Sequence, residues 1–482
     1  IARIVSEVLK RLEKEELGSV VVSPSAPARF PNPLPLKSCS SVVYPSVDAA
    51  VQAAVIAQGE FQDLGLEVRR EVIRAIRKAA IANAERLAKM AVEETGMGRW
   101  QDKVQKNLVC ATRTPGVEDL VSRAYTGDKG LTLVEYAPYG VVAAITPSTN
   151  PAATIINNAI SIIAAGNSVV FAPHPASFKT CVETMRLLCE AAVAAGAPSG
   201  LITTYASPSQ DNTRNLLAHP DTRVNMVTGG PAIVKVAMTV GKTCKTIAAG
   251  PGNPPVVVDE TAEFPKCAQD IIFGASFDNN VLCTAEKEVI VTAAARDRFL
   301  AGMRGDPRAF ELNAAQTEAL VKLVIKVGGR GCKDPVLNRD FVGKDASVLA
   351  KGIGLEIPKE ARLLWAEVPN DHTLVWTEQL MPFLPVTVAR DVDAAIELAQ
   401  AAEGGNRHTA AMHSTHVGNL TKMARRMQCS IFVKNGPTLC GLGLGEGYAT
   451  MSIGTPTGDG LTKASHFARP LHCALVGYFR IA

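Results

Sequence analysis

The stretch Val141-Val142-Ala143-Ala144-Ile145-Thr146-Pro147-Ser148-Thr149-Asn150-Pro151 is an apolar run that stops abruptly in polar and proline residues. A second run, Ser168-Val169-Val170-Phe171, is closed by Ala172-Pro173. Short runs of β-branched and small apolar residues between turn signals read as strands buried on both faces. Similar runs recur at Leu201–Tyr205, Val224–Val227 and Val256–Val258, with helical spacing between them. This alternation, running from Val141 to Val258, predicts an α/β fold with a doubly wound parallel sheet. Residues 253–450 continue the alternation and predict a second α/β domain.

Upstream, residues 46–97 read as helical. Ser46-Val47-Asp48 offers an N-cap, and Thr95-Gly96-Met97-Gly98 a stop. Gly127–Val142 alternates around Gly130 and Gly140, which predicts a hairpin near residues 121–140. Within residues 451–482, the tail reaches a strand-like Cys473-Ala474-Leu475-Val476. At the other end, Ile1, Ile4, Val5, Val8, Leu9 and Leu12 share one helical face opposite Arg3, Glu7, Lys10, Arg11 and Lys14. A proline- and serine-rich linker over 18–41 follows. A lone helix over 1–17 is marginal in water, so its apolar stripe needs either a partner or the body of its own chain.

With 482 residues, 47% of them hydrophobic and 20% charged, the composition is that of a soluble globular protein of two or three domains. A net charge of +4 is too small to argue for nucleic acid. The 11 cysteines are odd in number and lack zinc-ligand spacing, so they read as reduced thiols. No apolar run reaches the ~18 residues of a membrane span. The chain opens at Ile1 without a methionine, so whether the natural N-terminus is complete stays open.

The segment Asn225-Met226-Val227-Thr228-Gly229-Gly230-Pro231-Ala232-Ile233 reads as strand, glycine turn and helix. Such a turn offers backbone N–H groups and the positive end of a helix to a phosphate. By itself a Gly-Gly-Pro turn is more often a plain connection, and it is not the G-x-G-x-x-G fingerprint. Gly441-Leu442-Gly443-Leu444-Gly445 also fails that fingerprint and reads as a flexible loop beside a substrate channel.

The reactive element is Ser276-Phe277-Asp278-Asn279-Asn280-Val281-Leu282-Cys283-Thr284, a cysteine in a polar loop before the strand-like Glu288-Val289-Ile290-Val291. About thirty residues earlier runs Ala248-Ala249-Gly250-Pro251-Gly252-Asn253-Pro254. Together with Ile145–Pro151, Ala164–Pro173 and Thr377-Glu378-Gln379-Leu380-Met381-Pro382, these stretches resemble the aldehyde dehydrogenase superfamily over residues 45–482. Thr146–Pro151, Phe277–Asn280, Arg407–Ser414 and Thr455–Gly460 are most similar to its CoA-acylating members from bacterial microcompartments.

That resemblance implies an α/β, aldehyde dehydrogenase-like fold: a Rossmann-type nucleotide-binding domain over residues 42–252, an α/β catalytic domain over 253–450 and a small oligomerisation arm, with a homo-oligomer and Cys283 as nucleophile. It implies oxyanion donors from the Cys283 N–H and from Thr149 or Asn150. Cofactor contacts are expected at Thr146, Pro147, Ser148, Ala172, Pro173, His174, Thr228, Gly229, Gly230, Ile233 and Gly250, with Glu378 on the nicotinamide ribose. Ala172 and Pro175 replace a lysine and an acidic residue of many hydrolytic relatives, so NAD follows from the subfamily and NADP is not excluded. Hydrolytic members carry a water-activating glutamate where this chain has Ala249. A thioester at Cys283 is therefore expected to wait for the thiol of coenzyme A, giving acyl-CoA and NADH from propionaldehyde or acetaldehyde. The terminal helix is similar to encapsulation peptides, which implies a cytoplasmic enzyme packaged in a microcompartment. A hydrolytic enzyme with an unrecognised base, and a shell-associated scaffold with a decayed site, are the alternatives. His408 and His413 read as structural histidines.

Overall fold

A computed structural model describes residues 41–240, 244–332 and 334–481. The expected helix over 1–17 and all of the linker but its last residue lie outside the described residues. The nucleotide-binding half is a parallel sheet of six strands in the order Val43–Tyr44, Ile202–Tyr205, Ser168–Pro173, Val141–Thr146, Thr222–Thr228 and Lys245–Ala249. Every neighbouring pair in it is parallel. From the central strand Val141–Thr146 the chain winds first to one side, then to the other. The winding reverses between Val141–Thr146 and Thr222–Thr228, the place where open α/β sheets leave a crevice at their carboxyl ends.

The helix Pro151–Ala164 is buried on all sides, as its run of alanine and isoleucine demands. Its two asparagines lie inside the protein, and Asn157 Nδ2 donates to Thr114 Oγ1 at 2.9 Å. Upstream, the helical stretch resolves into Val47–Gln62, Leu66–Ala82 and Ala84–Thr95. Ser46 accepts from Ala49 N–H at 3.2 Å, and Gly96, at φ 64°, ends the third helix. A further helix, Trp100–Arg113, buries Asp102, Lys103, Lys106 and Asn107.

The second sheet has seven strands, all parallel, in the order Ala309–Glu311, Leu363–Glu367, Phe383–Ala389, Glu288–Thr292, Pro255–Val258, Thr409–His413 and Ile431–Lys434. The chain enters it from Lys245–Ala249 through five residues, Gly250 to Pro254. Arg123–Gly127 and Gly130–Pro138 form an antiparallel pair, and Ala468–Val476 adds a third strand. Leu471, Leu475 and Val476 on that strand are exposed. No helix among the described residues is long and apolar enough to cross a membrane.

Candidate active site

Before Cys283, three successive non-glycine residues adopt left-handed backbone: Asp278 (φ 47°), Asn279 (φ 53°) and Asn280 (φ 60°). Each costs about 1 kcal/mol or more and persists only where its surroundings over-determine it. All three side chains are buried, and all three are strapped. The Asp278 carboxylate takes Arg99 N–H at 2.7 Å, Lys103 Nζ at 3.0 Å, and Lys106 Nζ. Its own N–H donates to Asp102 at 2.9 Å. Asn279 Nδ2 donates to Gly343 O and to Asp345, both at 2.9 Å. Asn280 Nδ2 donates to Ala275 O and Glu286 O, again at 2.9 Å, while both Asn280 oxygens accept from Lys287 Nζ. The turn leaves Cys283 half-buried at its end.

The same lysines reach the expected oxyanion donors. Lys103 Nζ donates to Thr149 O at 2.9 Å, and Lys106 Nζ to Asn150 Oδ1. With its amide oxygen so engaged, Asn150 turns its Nδ2 towards Thr149 Oγ1 at 3.1 Å. Thr149, Asn150 and the Cys283 turn are thus cross-braced by one helix, Trp100–Arg113. The sequence reading passes over that helix, because its charges at i, i+1 and i+4 look like a solvated face.

On the other side runs Gly250 to Pro254. A Cβ on Gly252 would meet Cys283 O at 2.6 Å and the His408 ring at 3.0 Å, so only glycine allows this approach. The Gly252 N–H faces the Glu378 carboxylate, whose Oε1 is buried without a hydrogen-bond partner. Burial and then Glu378 push the Cys283 thiol up to about 12, while the charges of Lys287 and Lys106 act in the opposite sense. Burial raises Glu378 to about 7 against Lys287 and the Gly252 N–H. Burial lowers Lys287 to about 8 against Glu378, Cys283, Glu286 and Glu288. Ala249 is buried, and its carbonyl accepts from Gly229 N–H at 3.2 Å.

The two histidines part company. His408 is buried against the Gly252 backbone with Nε2 unpartnered, and burial and Lys287 lower it to about 4. His413, at the end of the strand Thr409–His413, is lowered to about 4 by burial, and its charged neighbours are Asp270 and Lys266. What the sequence could not supply for His408 was its distance from Cys283. Gly441–Gly445 is less irregular than expected. Thr438–Leu442 make a 3-10 turn, and the Thr438 N–H holds Glu286 at 2.7 Å.

The expected cofactor residues gather at the carboxyl ends of the first sheet. Thr146 and Pro173 end adjacent strands in register, with Ala172 opposite Ile145, and His174 N–H bonds Thr146 O at 3.2 Å. Pro147 and Ser148 lead from Thr146 to the helix at Pro151. His174 Nδ1 caps the next turn by accepting from Ala176 N–H at 3.1 Å. Thr228 ends its strand and pairs with Ser452 at 2.8 Å. Gly230 caps the helix Pro231–Thr239, with Ile233 packed under Gly229. Gly250 follows the edge strand and faces Pro456. A dinucleotide fits this arrangement. Nothing lies within 4 Å of the Cβ position on Gly230, the helix N-terminus is open, and Glu378 keeps a buried acceptor without a donor.

The aldehyde dehydrogenase family model matches residues 35–321. Over 441 residues the chain is 50% identical to the acetylating acetaldehyde dehydrogenase EutE of Salmonella typhimurium, covering 91% of this chain and 93% of that protein. It is similar to a Rhodopseudomonas palustris propionaldehyde dehydrogenase solved with bound CoA and an acylated cysteine. That match has 45% identity and a TM-score of 0.87, and covers 91% of this chain and 99% of that one. It is similar also to a propionaldehyde dehydrogenase from the fucose utilisation microcompartment of Clostridium phytofermentans. There the identity is 40% and the TM-score 0.88, over 92% of this chain and 100% of that one.

Proposed function

The chain belongs to the aldehyde dehydrogenase family, and we propose that Cys283 carries its reaction, with propionaldehyde as substrate. It is a CoA-acylating enzyme that converts a short-chain aldehyde, NAD and CoA to acyl-CoA and NADH. What carries the assignment of roles is the pairing of a strapped thiol with an alanine at position 249.

Sulfur attack on the aldehyde carbonyl gives a thiohemiacetal at Cys283, whose oxyanion needs donors in place beforehand. The Cys283 N–H and the Asn150 amide, aimed by Lys106, fill that role, with Thr149 beside them. The nicotinamide cofactor supplies a hydride acceptor when bound. Thr146, Pro147, Ser148, Ala172, Pro173, His174, Thr228, Gly229, Gly230, Ile233 and Gly250 would hold it, with Glu378 on its ribose. The resulting thioester at Cys283 faces no carboxylate at position 249, and general-base help is typically worth about 10² to 10⁴ in rate. CoA brings its own thiol. His408, uncharged at neutral pH with Nε2 unpartnered, is placed to take that thiol's proton.

Acetaldehyde is the second reading, favoured by the 50% identity to EutE. One methylene separates the two substrates and is worth only about 1–3 kcal/mol in a pocket. Residues 1–17 are assigned to docking within a microcompartment, a setting shared with the Clostridium phytofermentans enzyme. The exposed strand Ala468–Val476 is assigned to a homo-oligomer contact.

The test is NADH formation from propionaldehyde and NAD with and without CoA, the product being identified by mass. Sustained turnover only with CoA, yielding propionyl-CoA, is expected. Equal turnover to propionate without CoA would overturn the role given to Ala249. Initial-rate plots should run parallel, because NADH leaves before CoA binds.

A further inference from the structure

Imidazole serves this chain mostly as a turn cap. In His174, His219, His372, His416 and His466, Nδ1 accepts a backbone N–H from two or three residues away, at 3.1 to 3.4 Å. An amide N–H can only donate, so each of those rings, when neutral, carries its own proton on Nε2. A ring in that form has no lone pair at Nε2 with which to take a proton. His408 is wired differently. Its Nδ1 meets a side-chain hydroxyl, Thr409 Oγ1, at 2.8 Å, and among the described residues its Nε2 has no partner.

Both His408 and Thr409 are fully buried. The His408 backbone is held at each end: its N–H donates to Glu403 Oε1 at 2.9 Å, and its carbonyl accepts from Ile431 N–H at 3.1 Å. The ring packs on Gly252, where an added Cβ would stand 3.0 Å from His408 Cγ and 2.6 Å from Cys283 O. Ring and thiol loop therefore flank one glycine. The backbone bonds fix where the residue is, but among the described residues only Thr409 touches a polar atom of the ring.

Resting on Cys283 as nucleophile and His408 as the acceptor of the CoA proton, we propose that Thr409 is a positioning residue for release of the acyl group. Its hydroxyl accepts from His408 Nδ1–H, which leaves the Nε2 lone pair free for the thiol. In that step the CoA S–H proton passes to Nε2 and the CoA sulfur bonds the acyl carbon. The bond from that carbon to the Cys283 sulfur then breaks, and the proton returns from Nε2 to the Cys283 sulfur. Between the two transfers the ring is a cation with donors at both nitrogens, so Nδ1–H needs an acceptor in place. Burial opposes this cation, and Thr409 Oγ1 is the acceptor at hand. The hydroxyl can swing its own proton about the Cβ–Oγ1 bond, whereas a ring N–H points only where the ring points.

The experiment separates the two half-reactions on the full chain. Propionaldehyde and NAD without CoA give a burst of NADH that reports acylation, and CoA-driven loss of the acyl group from Cys283, followed by mass, reports release. Thr409→Val keeps the shape and loses the hydroxyl. It should slow release by about 10-fold or more, while the NADH burst stays within about 2-fold. Thr409→Ser should restore release to within about 3-fold. Hydroxylamine, which attacks thioesters without a base, should discharge the acylated Thr409→Val chain as fast as the unsubstituted one. A burst or hydroxylamine discharge that falls along with the CoA step, or a serine variant as slow as the valine one, makes Thr409 a packing residue and overturns the proposal. Should Thr409→Val not fold, heteronuclear NMR of the unsubstituted chain labelled in histidine decides, with the His408 signal assigned by its absence in His408→Gln. A proton on Nδ1 supports the proposal, and a proton on Nε2 overturns it. CoA-driven release that survives His408→Gln instead sinks the reading of His408 as base, whatever Thr409 does.

Discussion

At the Gly229–Gly230 turn the groups offered to a ligand are backbone N–H donors at a helix end, with open space around Gly230. The Asp278–Asn280 turn is built the opposite way. Its backbone is unfavourable at three consecutive residues, and side chains hold it: the buried Lys103, Lys106 and Lys287 on one hand, the buried Asp102 and Asp278 and the exposed Asp345 on the other. A cofactor that arrives and leaves each cycle needs a pre-formed cradle that tolerates approach. A nucleophile must be held at one position while its charge changes, and fixed charges do that at the expense of tolerance.

The sharpest break of this contrast is Cys283→Ser, which should lower acyl-CoA formation by about 10⁴-fold or more while circular dichroism stays unchanged. Next comes Asp278→Asn, which leaves Lys103 and Lys106 buried without a counter-charge. Denaturant titration should show a loss of about 3–5 kcal/mol. Ala249→Glu places a carboxylate where the family's hydrolytic members carry their base. Free acid formed without CoA should rise by about 10- to 100-fold, measured by product mass.

Smaller is the effect of acid. His408 and His413 are buried and lowered to about 4, whereas an unfolded histidine takes its proton near 6.5. The unfolded chain therefore binds more protons between those values, so each histidine's contribution is present above pH 6.5 and is lost as the pH falls towards 4. Each loses about 2 kcal/mol between pH 7.5 and 5. Urea titrations of His413→Gln at the two pH values should show the drop shrinking by that amount. Smallest is Gly230→Ala, where φ is −69° and nothing stands within 4 Å of the new methyl. Urea titration should place its stability within about 1 kcal/mol of the unsubstituted chain.

Four strands of the first sheet, Val141–Thr146, Ser168–Pro173, Ile202–Tyr205 and Thr222–Thr228, were legible as short apolar runs between turn residues; Val43–Tyr44 and Lys245–Ala249 were not, and Val256–Val258, read with the four, belongs to the second sheet. Cys283 and Glu378 were singled out only through the polar and proline residues around them. The helix Trp100–Arg113 was not, since a lysine destined for a buried aspartate looks the same in sequence as one destined for water. Asp278 stands 172 residues from Lys106, and no local pattern joins them. The closeness of His408 to Gly252 was hidden for the same reason, since it spans a separation that the chain alone does not reveal. The left-handed run was hidden as well, although asparagine and aspartate are the non-glycine residues that tolerate it best.

The passage from Lys245–Ala249 to Pro255–Val258 spans at most ~17 Å and contains Pro251 and Pro254. A tether this short and stiff leaves little slack for a hinge between the two sheets. Any widening of the gap would drag Gly252 off the Cys283 carbonyl and the Glu378 carboxylate together. Traffic of two bulky nucleotides past one sulfur is therefore better served by a doorway at the flank than by jaws that open, and the enzyme can exchange its visitors without letting go of its thiol.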